Sequence, residues 1–182
     1  MPNAGPPQDM ALRSFVTSLA LFDTFEYVIG ASDGIALKWP NDVLLQGGKV
    51  AGILLESLNA GQQLAIGIGV NLIVAPDAQD VETGALAPVS LKDATGCEIL
   101  AEDFLDILAA HYATRESSFQ TFGFGPTRTA WLERAAKLGD VITARTTTTE
   151  IIGTFEDVDI DGHLVLRTAK GVQTIAAADV FF

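Results

Sequence analysis

The sequence predicts an α+β chain in two parts, a mixed β-sheet with flanking helices followed by a small β-barrel. Three observations carry this. Apolar residues recur every three or four positions in two long stretches, the period of helices with one buried stripe. Short apolar strands, punctuated by proline and glycine, fill residues 35–72. Beyond Gly139 come only short strands and tight turns with no helical period between them, which is the pattern of a small barrel.

Taken in order, Met1 to Asp9 is rich in Pro, Gly and Asn and reads as a loop. From Ala11, the residues Leu12, Phe15, Val16, Leu19, Phe22, Phe25 and Ile29 define a helix that stops at Gly30. Ile35–Trp39 is a strand that Pro40 ends, because proline cannot donate to a ladder. Val43–Leu45 and Lys49–Glu56 flank Gln46-Gly47-Gly48 as a hairpin, and Leu64–Leu72 reads as a strand buried on both faces. Ala75–Pro88 has no clear period and reads as a loop. A second long helix is predicted over Leu100–Phe119, a break over Gly123–Pro126, and a shorter helix over Thr127–Ala136. Val141–Ala144, Glu150–Val158, His163–Arg167 and Val172–Ile175 are the barrel strands. The boundary falls near residue 138, giving units 1–138 and 139–182. The second is too small to bury much surface alone and is expected to pack on the first.

Composition narrows the function. The 182 residues are 48% apolar with a mean hydropathy of +0.31, too apolar for a disordered chain. No apolar run approaches the roughly 20 residues of a membrane span. Phe15–Ile29 is interrupted by Asp23 and Glu26, which argues against a signal peptide and for an amphipathic helix. A single cysteine, Cys97, excludes an internal disulfide framework and makes the cytoplasm the default compartment. Eleven basic against 23 acidic side chains give a net charge of −12, a field that repels nucleic acid and excludes DNA as a natural partner. An anionic substrate must then meet a few well-placed cations.

The densest chemical signal runs from Leu37 through Lys38-Trp39-Pro40-Asn41-Asp42-Val43 to Gly47-Gly48-Lys49-Val50-Ala51-Gly52-Ile53-Leu54-Leu55-Glu56. Lys38 lies at a strand end and Lys49 opens the strand after two glycines. On sequence they are either solvated strand-end lysines or ammoniums held against an apolar wall for a compact anion, such as a carboxylate or phosphate. Gly67-Ile68-Gly69 reads either as a bulge or as a strand cleared for a ligand, Asp42 as a turn residue, and Trp39 as core. Other signals fail. Asp157-x-Asp159-x-Asp161-Gly162 lacks the acidic twelfth residue of a calcium loop, Thr168 standing there, and reads as a hairpin. His111 and His163 are too far apart to suggest a metal site, and Cys97 carries no catalytic signal.

Lys-Trp-Pro-Asn-Asp, the following Lys-x-Ala-Gly-Ile-Leu-x-Glu, and Ile66-Gly67-Ile68-Gly69-Val70-Asn71 together resemble biotin–protein ligases, in that family's order and spacing. The tail, with Gly139-Asp140, Ile152-Gly153, Val158-x-Ile160-Asp161-Gly162-x-Leu164 and a final strand, resembles the family's SH3-like domain. The resemblance implies a biotin/lipoate ligase-like sheet related to class II synthetases. It also implies a two-step reaction. ATP and biotin, with Mg2+, form biotinyl-5′-AMP, and the biotinyl group passes to a lysine of the biotin carboxyl carrier protein of acetyl-CoA carboxylase. It casts Lys49 as the catalytic ammonium. Lys38, Asn41 and Asp42 would lie near the nucleotide, with Asp42 a candidate magnesium ligand or turn residue. Gly52, Leu54, Gly67 and Gly69 would line the slot for the bicyclic ring, and Asn71 would hydrogen-bond the adenylate.

The family carries a strand and a Gly/Arg-rich loop ahead of the matching region, whereas before residue 115 the sole arginine here is Arg13. The resemblance therefore implies a truncated ligase, weak or inactive as this chain, with an exposed sheet edge and self-association as a homo-oligomer. Two alternatives are a non-catalytic biotin- or carrier-binding module of the same ancestry, and a lipoate-type ligase, which does not usually show the Lys-Trp-Pro-Asn-Asp string.

Overall fold

The computed structural model describes residues 7–59, 63–77 and 86–182. Residues 1–6 of the expected N-terminal loop and 78–85 of the Ala75–Pro88 loop lie outside them. Helix α1 spans Pro7–Ile29 and starts earlier than predicted. Proline suits the first helical turn, where its missing N–H has no partner to lose, and Asp9 complements the positive end of the helix. The predicted stripe is buried except at its end: Leu12, Phe15, Val16, Leu19, Phe22 and Phe25 are all 5% exposed or less, and Ile29 is half-buried.

The stripe lies on a four-stranded sheet of order β1-β2-β3-β4, formed by Ile35–Lys38, Asp42–Leu45, Gly48–Leu58 and Gln63–Val70. These strands pair antiparallel, and parallel pairing enters as two isolated bridges, Leu37 with Ala135 and Lys49 with Pro88. The β2–β3 turn is made by Gln46 and Gly47 at φ of 51° and 81°, the left-handed pair that matches strand twist in a two-residue hairpin. A bulge between Val43 and Leu44 shifts the register, so that Asp42 faces Gly52 while Leu44 faces Lys49.

Strand β4 corrects an expectation. Of its residues only Leu64 is buried, and the strand stops at Val70. Gly67 and Gly69 extend an apolar run without contributing side chains, and among the described residues β4 is an outer strand paired on one side. The short helix α2 (Leu91–Thr95) was not predicted. Its signal is Ser90-x-x-Asp93: the Ser90 hydroxyl accepts from the Asp93 N–H at 3.0 Å and donates to its carboxylate at 2.6 Å, a reciprocal cap. Helix α3 (Ala101–Phe122) ends at Gly123, and α4 (Phe124–Leu132) begins at once, with Pro126 in its first turn. The predicted helix to Ala136 is therefore shifted. Arg134 and Ala136 run beside β1, where the Leu37 N–H donates to the Arg134 carbonyl at 2.9 Å and the Ala136 N–H to the Leu37 carbonyl at 2.7 Å.

The remaining strands are β5 (Val141–Arg145), β6 (Glu150–Val158), β7 (Leu164–Thr168), β8 (Gly171–Ile175) and β9 (Asp179–Phe181), in the order β8-β7-β6-β5-β9. The predicted calcium-like string is the β6–β7 turn. There Asp159, Asp161 and His163 gather with ligand atoms within 4.8 Å of one another, a proximity that reading the two histidines alone did not anticipate. Asp159 Oδ1 closes that turn by accepting the N–H groups of Asp161 and His163, each at 2.9 Å. The second sheet packs on the first part, as expected. Phe15, Trp39, Trp131, Phe155 and Leu166 belong to one core, and the Trp39 indole donates to the Gly162 carbonyl at 3.0 Å. Trp39, at 3% exposure, is a core residue.

Candidate active site

Strand β1 delivers Lys38 to its end, Pro40 turns the chain, and Asp42 opens β2 directly across the ladder from Lys38. The Lys38 ammonium donates to Asp42 Oδ2 at 3.2 Å. Lys49 is two residues out of register with Asp42, yet its side chain folds back over Gly52 and brings Nζ to 2.6 Å from Asp42 Oδ1. Only a glycine at position 52 leaves that path clear: a Cβ there would stand 3.2 Å from Lys49 Cε and 3.3 Å from Nζ. The Lys49–Oδ1 contact is close in distance but misses hydrogen-bond angles, so Oδ1 is buried with charge compensation alone. Two ammoniums flank one carboxylate, and the group carries a net single positive charge in a chain of −12.

This triad opens on a cavity of about 670 Å³. Gly52 and Gly69, opposite each other across the β3–β4 ladder, form part of its lining, and Asn71 stands just beyond β4. The Asn71 amide nitrogen donates to the carbonyls of Lys49 (3.3 Å) and Val89 (3.2 Å), which ties the strand start to the segment before α2 and leaves Oδ1 as the remaining acceptor. Of the residues expected at the site, Lys38, Asp42, Lys49, Gly52, Gly69 and Asn71 meet here. Three do not line this cavity. Asn41 binds the sheet instead: its side-chain nitrogen donates to the Ile53 carbonyl at 2.7 Å while the Ile53 N–H donates back to its carbonyl at 2.9 Å. Leu54 and Gly67 pair two positions further along the ladder from Gly52 and Gly69, beyond Ile53 and Ile68, and Leu54 is 69% exposed there.

Asp42 does not fit a magnesium ion in this arrangement. Both carboxylate oxygens face ammoniums, and two adjacent positive charges oppose a divalent cation. Sequence reasoning missed the opposite wall, which comes from β9 through Asp179, Val180 and Phe181. Strand position in a barrel carries no local mark of what it faces across the molecule.

Comparison with known proteins agrees with this architecture. Residues 4–72 match the Biotin/lipoate A/B protein ligase family, and residues 137–182 match the Biotin protein ligase C terminal domain. The fold and these two matches define the biotin/lipoate ligase class. The chain is 54% identical over 97% of its length to a biotin–[acetyl-CoA-carboxylase] ligase of Paracoccus denitrificans, covering 76% of that protein. It belongs to the biotin–protein ligase family. It is also 29% identical to the bifunctional ligase/repressor BirA of Bacillus subtilis, over 96% of this chain and 54% of that one. The biotin protein ligase of Aquifex aeolicus, solved in complex with biotin and ATP, shares the fold at a TM-score of 0.78 and 20% identity, over 93% of this chain and 70% of that one. No helix among the described residues is long and apolar enough to cross a membrane.

Proposed function

We propose that the chain joins biotin to ATP and passes the biotinyl group to a lysine of the biotin carboxyl carrier protein of acetyl-CoA carboxylase. In the first step a biotin carboxylate oxygen bonds to the α-phosphorus of ATP as the bond to pyrophosphate breaks, giving biotinyl-5′-AMP. In the second, the acceptor amine bonds to the acyl carbon, AMP leaves, and the amine gives up a proton. The observation that carries the reading is Lys49, half-exposed and folded over Gly52 beside a cavity partly lined by that glycine and Gly69.

The physical obstacle is bringing two anions together. At about 4 Å they repel by roughly 4 kcal/mol at an effective dielectric near 20. An ammonium at Lys49, seated between carboxylate and α-phosphate, offsets that repulsion and favours the charge that develops in the transition state. Gly52 and Gly69 leave room for the bicyclic ring, and Asn71 Oδ1 accepts from the ligand. Magnesium enters bound to ATP, as part of the substrate. Units 1–138 and 139–182 act together, because the cavity has walls from both. The work is assigned to the cytoplasm, the compartment to which a single cysteine points. The outer edge of β4, with Leu54 and Leu58 exposed beside it, supports self-association, read by sizing over a dilution series.

The test is biotin-dependent ATP–pyrophosphate exchange, scored above the biotin-free background at whatever absolute rate. Lys49→Ala should lower it by about 10²–10³-fold, the range for losing one preorganised electrostatic group. Exchange unchanged in Lys49→Ala would overturn the role of Lys49. A wild-type chain that shows no exchange and does not bind biotinyl-5′-AMP would overturn the ligase reading.

A further inference from the structure

The two lysines flanking Asp42 are not equivalent. The Lys38 side chain is 12% exposed and that of Asp42 10%, whereas Lys49 is 44% exposed. Lys38 is sunk beside its carboxylate and hydrogen-bonded to it, while Lys49 reaches Asp42 from the cavity side without hydrogen-bond geometry. Lys38 is enclosed with its carboxylate at 3.2 Å, whereas Lys49, though nearer at 2.6 Å, is open to the cavity.

A buried carboxylate stripped of every counter-ion is strongly disfavoured. If Lys49 were the sole partner of Asp42, any move onto a ligand would leave that uncompensated charge behind, and the ammonium would stay where it is. With Lys38 in place, Asp42 keeps a counter-ion when Lys49 departs. Lys49 then exchanges one anionic oxygen for another, over a path that Gly52 keeps open. We infer that Asp42 parks the Lys49 ammonium and that Lys38 is a positioning residue, the buried counter-ion whose presence lets Lys49 leave Asp42 for the reacting carboxylate and phosphate. This rests on the adenylation reading above and assigns Lys38 a task other than touching the nucleotide.

The consequence is a particular pattern of coupling. Losing Lys38 should trap Lys49 on Asp42, and losing Asp42 as well should release it. If Lys38 instead bound the nucleotide directly, removing Asp42 could not repair its loss.

The experiment uses the full chain as wild type, Lys38→Met, Asp42→Asn, the double variant and Lys49→Ala, with Lys38→Gln as a second replacement should the methionine variant unfold. Thermal melting of each confirms folding. Trace acetic anhydride labelling, read by mass spectrometry, compares Lys49 with the exposed Lys170 in the same molecule. Relative to wild type, Lys49 labelling should fall about threefold in Lys38→Met and rise about threefold in Asp42→Asn and in the double variant, a coupling of the size contacting charges show. In pyrophosphate exchange, Lys38→Met should lose about tenfold or more in kcat with less change in KM for ATP. The double variant should return to within about threefold of Asp42→Asn. Labelling of Lys49 that ignores both substitutions overturns the inference. So does a double variant as impaired as Lys38→Met. Absence of exchange in wild type with the labelling pattern intact counts against the ligase reading, and leaves the parked ammonium supported.

Discussion

One added methyl group at Gly52 tests the site where it is tightest. Its Cβ would lie 3.2 Å from Lys49 Cε, 3.3 Å from Nζ and 3.6 Å from Asp42 Oδ1. Comfortable contacts between carbon atoms start near 3.5 Å, so the lysine tip must retreat by a few tenths of an ångström to about 0.8 Å. The end of a lysine can make that move cheaply, and Gly52 lies within strand β3, so the fold should change by no more than about 0.5 kcal/mol. The reaction is less forgiving. A misplacement of about 1 Å in a reacting constellation costs on the order of 10²-fold, so Gly52→Ala should lose between about ten- and a hundredfold in kcat/KM for exchange. In barrier terms that is about 1.4–2.8 kcal/mol. Gly69→Ala is the control, because a Cβ there meets no atom within 4 Å. Its methyl takes cavity space without moving Lys49, and should raise KM for biotin more than it lowers kcat. Steady-state exchange and thermal melting of both variants decide the matter. Wild-type exchange in Gly52→Ala, or a melting point that collapses with the activity, would refute the reasoning.

Other expectations concern the frame around the site. Arg13 and Glu116 form a buried pair between α1 and α3 at 2.9 Å, so Arg13→Met strands a buried carboxylate and should cost about 3–5 kcal/mol in urea unfolding; a loss below about 1 kcal/mol would contradict this. Burial first, and then the Glu116 carboxylate that accepts its hydroxyl, push the Tyr112 phenol above its ordinary range. The folded state then keeps a proton that the unfolded state releases above about pH 10, so stability should fall as pH rises through that point. Tyr112→Phe should flatten the fall, and urea melts at about pH 9 and about pH 11 with parallel losses in both proteins would count against it. Gly162 sits at φ of 83° with Leu12 and Phe15 atoms 2.9 Å from where a Cβ would go, so Gly162→Ala should destabilise by about 1–3 kcal/mol in the same assay. Unchanged unfolding would show that this turn is not packed on α1.

Legibility in the sequence followed how local each cause is. Helix α1 was readable because its stripe repeats over about five turns, and the β2–β3 hairpin because Gln46-Gly47 sets its own turn. The Ser90-x-x-Asp93 cap was equally local and was overlooked, since α2 is only five residues long and no apolar period announces it. Strand β4 misled because glycines lengthen an apolar run while covering nothing. At the site, the motif brought Lys38, Asp42 and Lys49 together on paper, but their roles depend on register. The bulge at Val43/Leu44 sets Gly52 opposite Asp42 and obliges Lys49 to fold back, and no spacing rule reveals that. Asn41, placed near the nucleotide by the motif, has its side-chain nitrogen clasped to the Ile53 carbonyl for the same reason. The β9 wall depends on tertiary packing between two sheets and was invisible.

That wall and the lysine triad are mechanically connected. Trp39 follows Lys38 directly, and its indole is anchored to Gly162 in the β6–β7 turn. Phe15 packs edge-on against Trp131 at 5.2 Å, Trp131 reaches Phe155 on β6, and the Arg134 carbonyl just after α4 holds the Leu37 N–H one residue before Lys38. The end of β1 is therefore gripped from both sides by groups that belong to, or pack against, the second sheet. The buried Lys38–Asp42 pair tolerates little displacement, because Lys38 is the counter-ion that stays with Asp42 when Lys49 leaves. The barrel thus does two things at once: β9 walls one side of the cavity, and the turn at Gly162 anchors Trp39, the residue after Lys38. Damage to that interface should disturb Lys38 and Asp42 before it unfolds the chain, so that site geometry and the packing of the two sheets fail together.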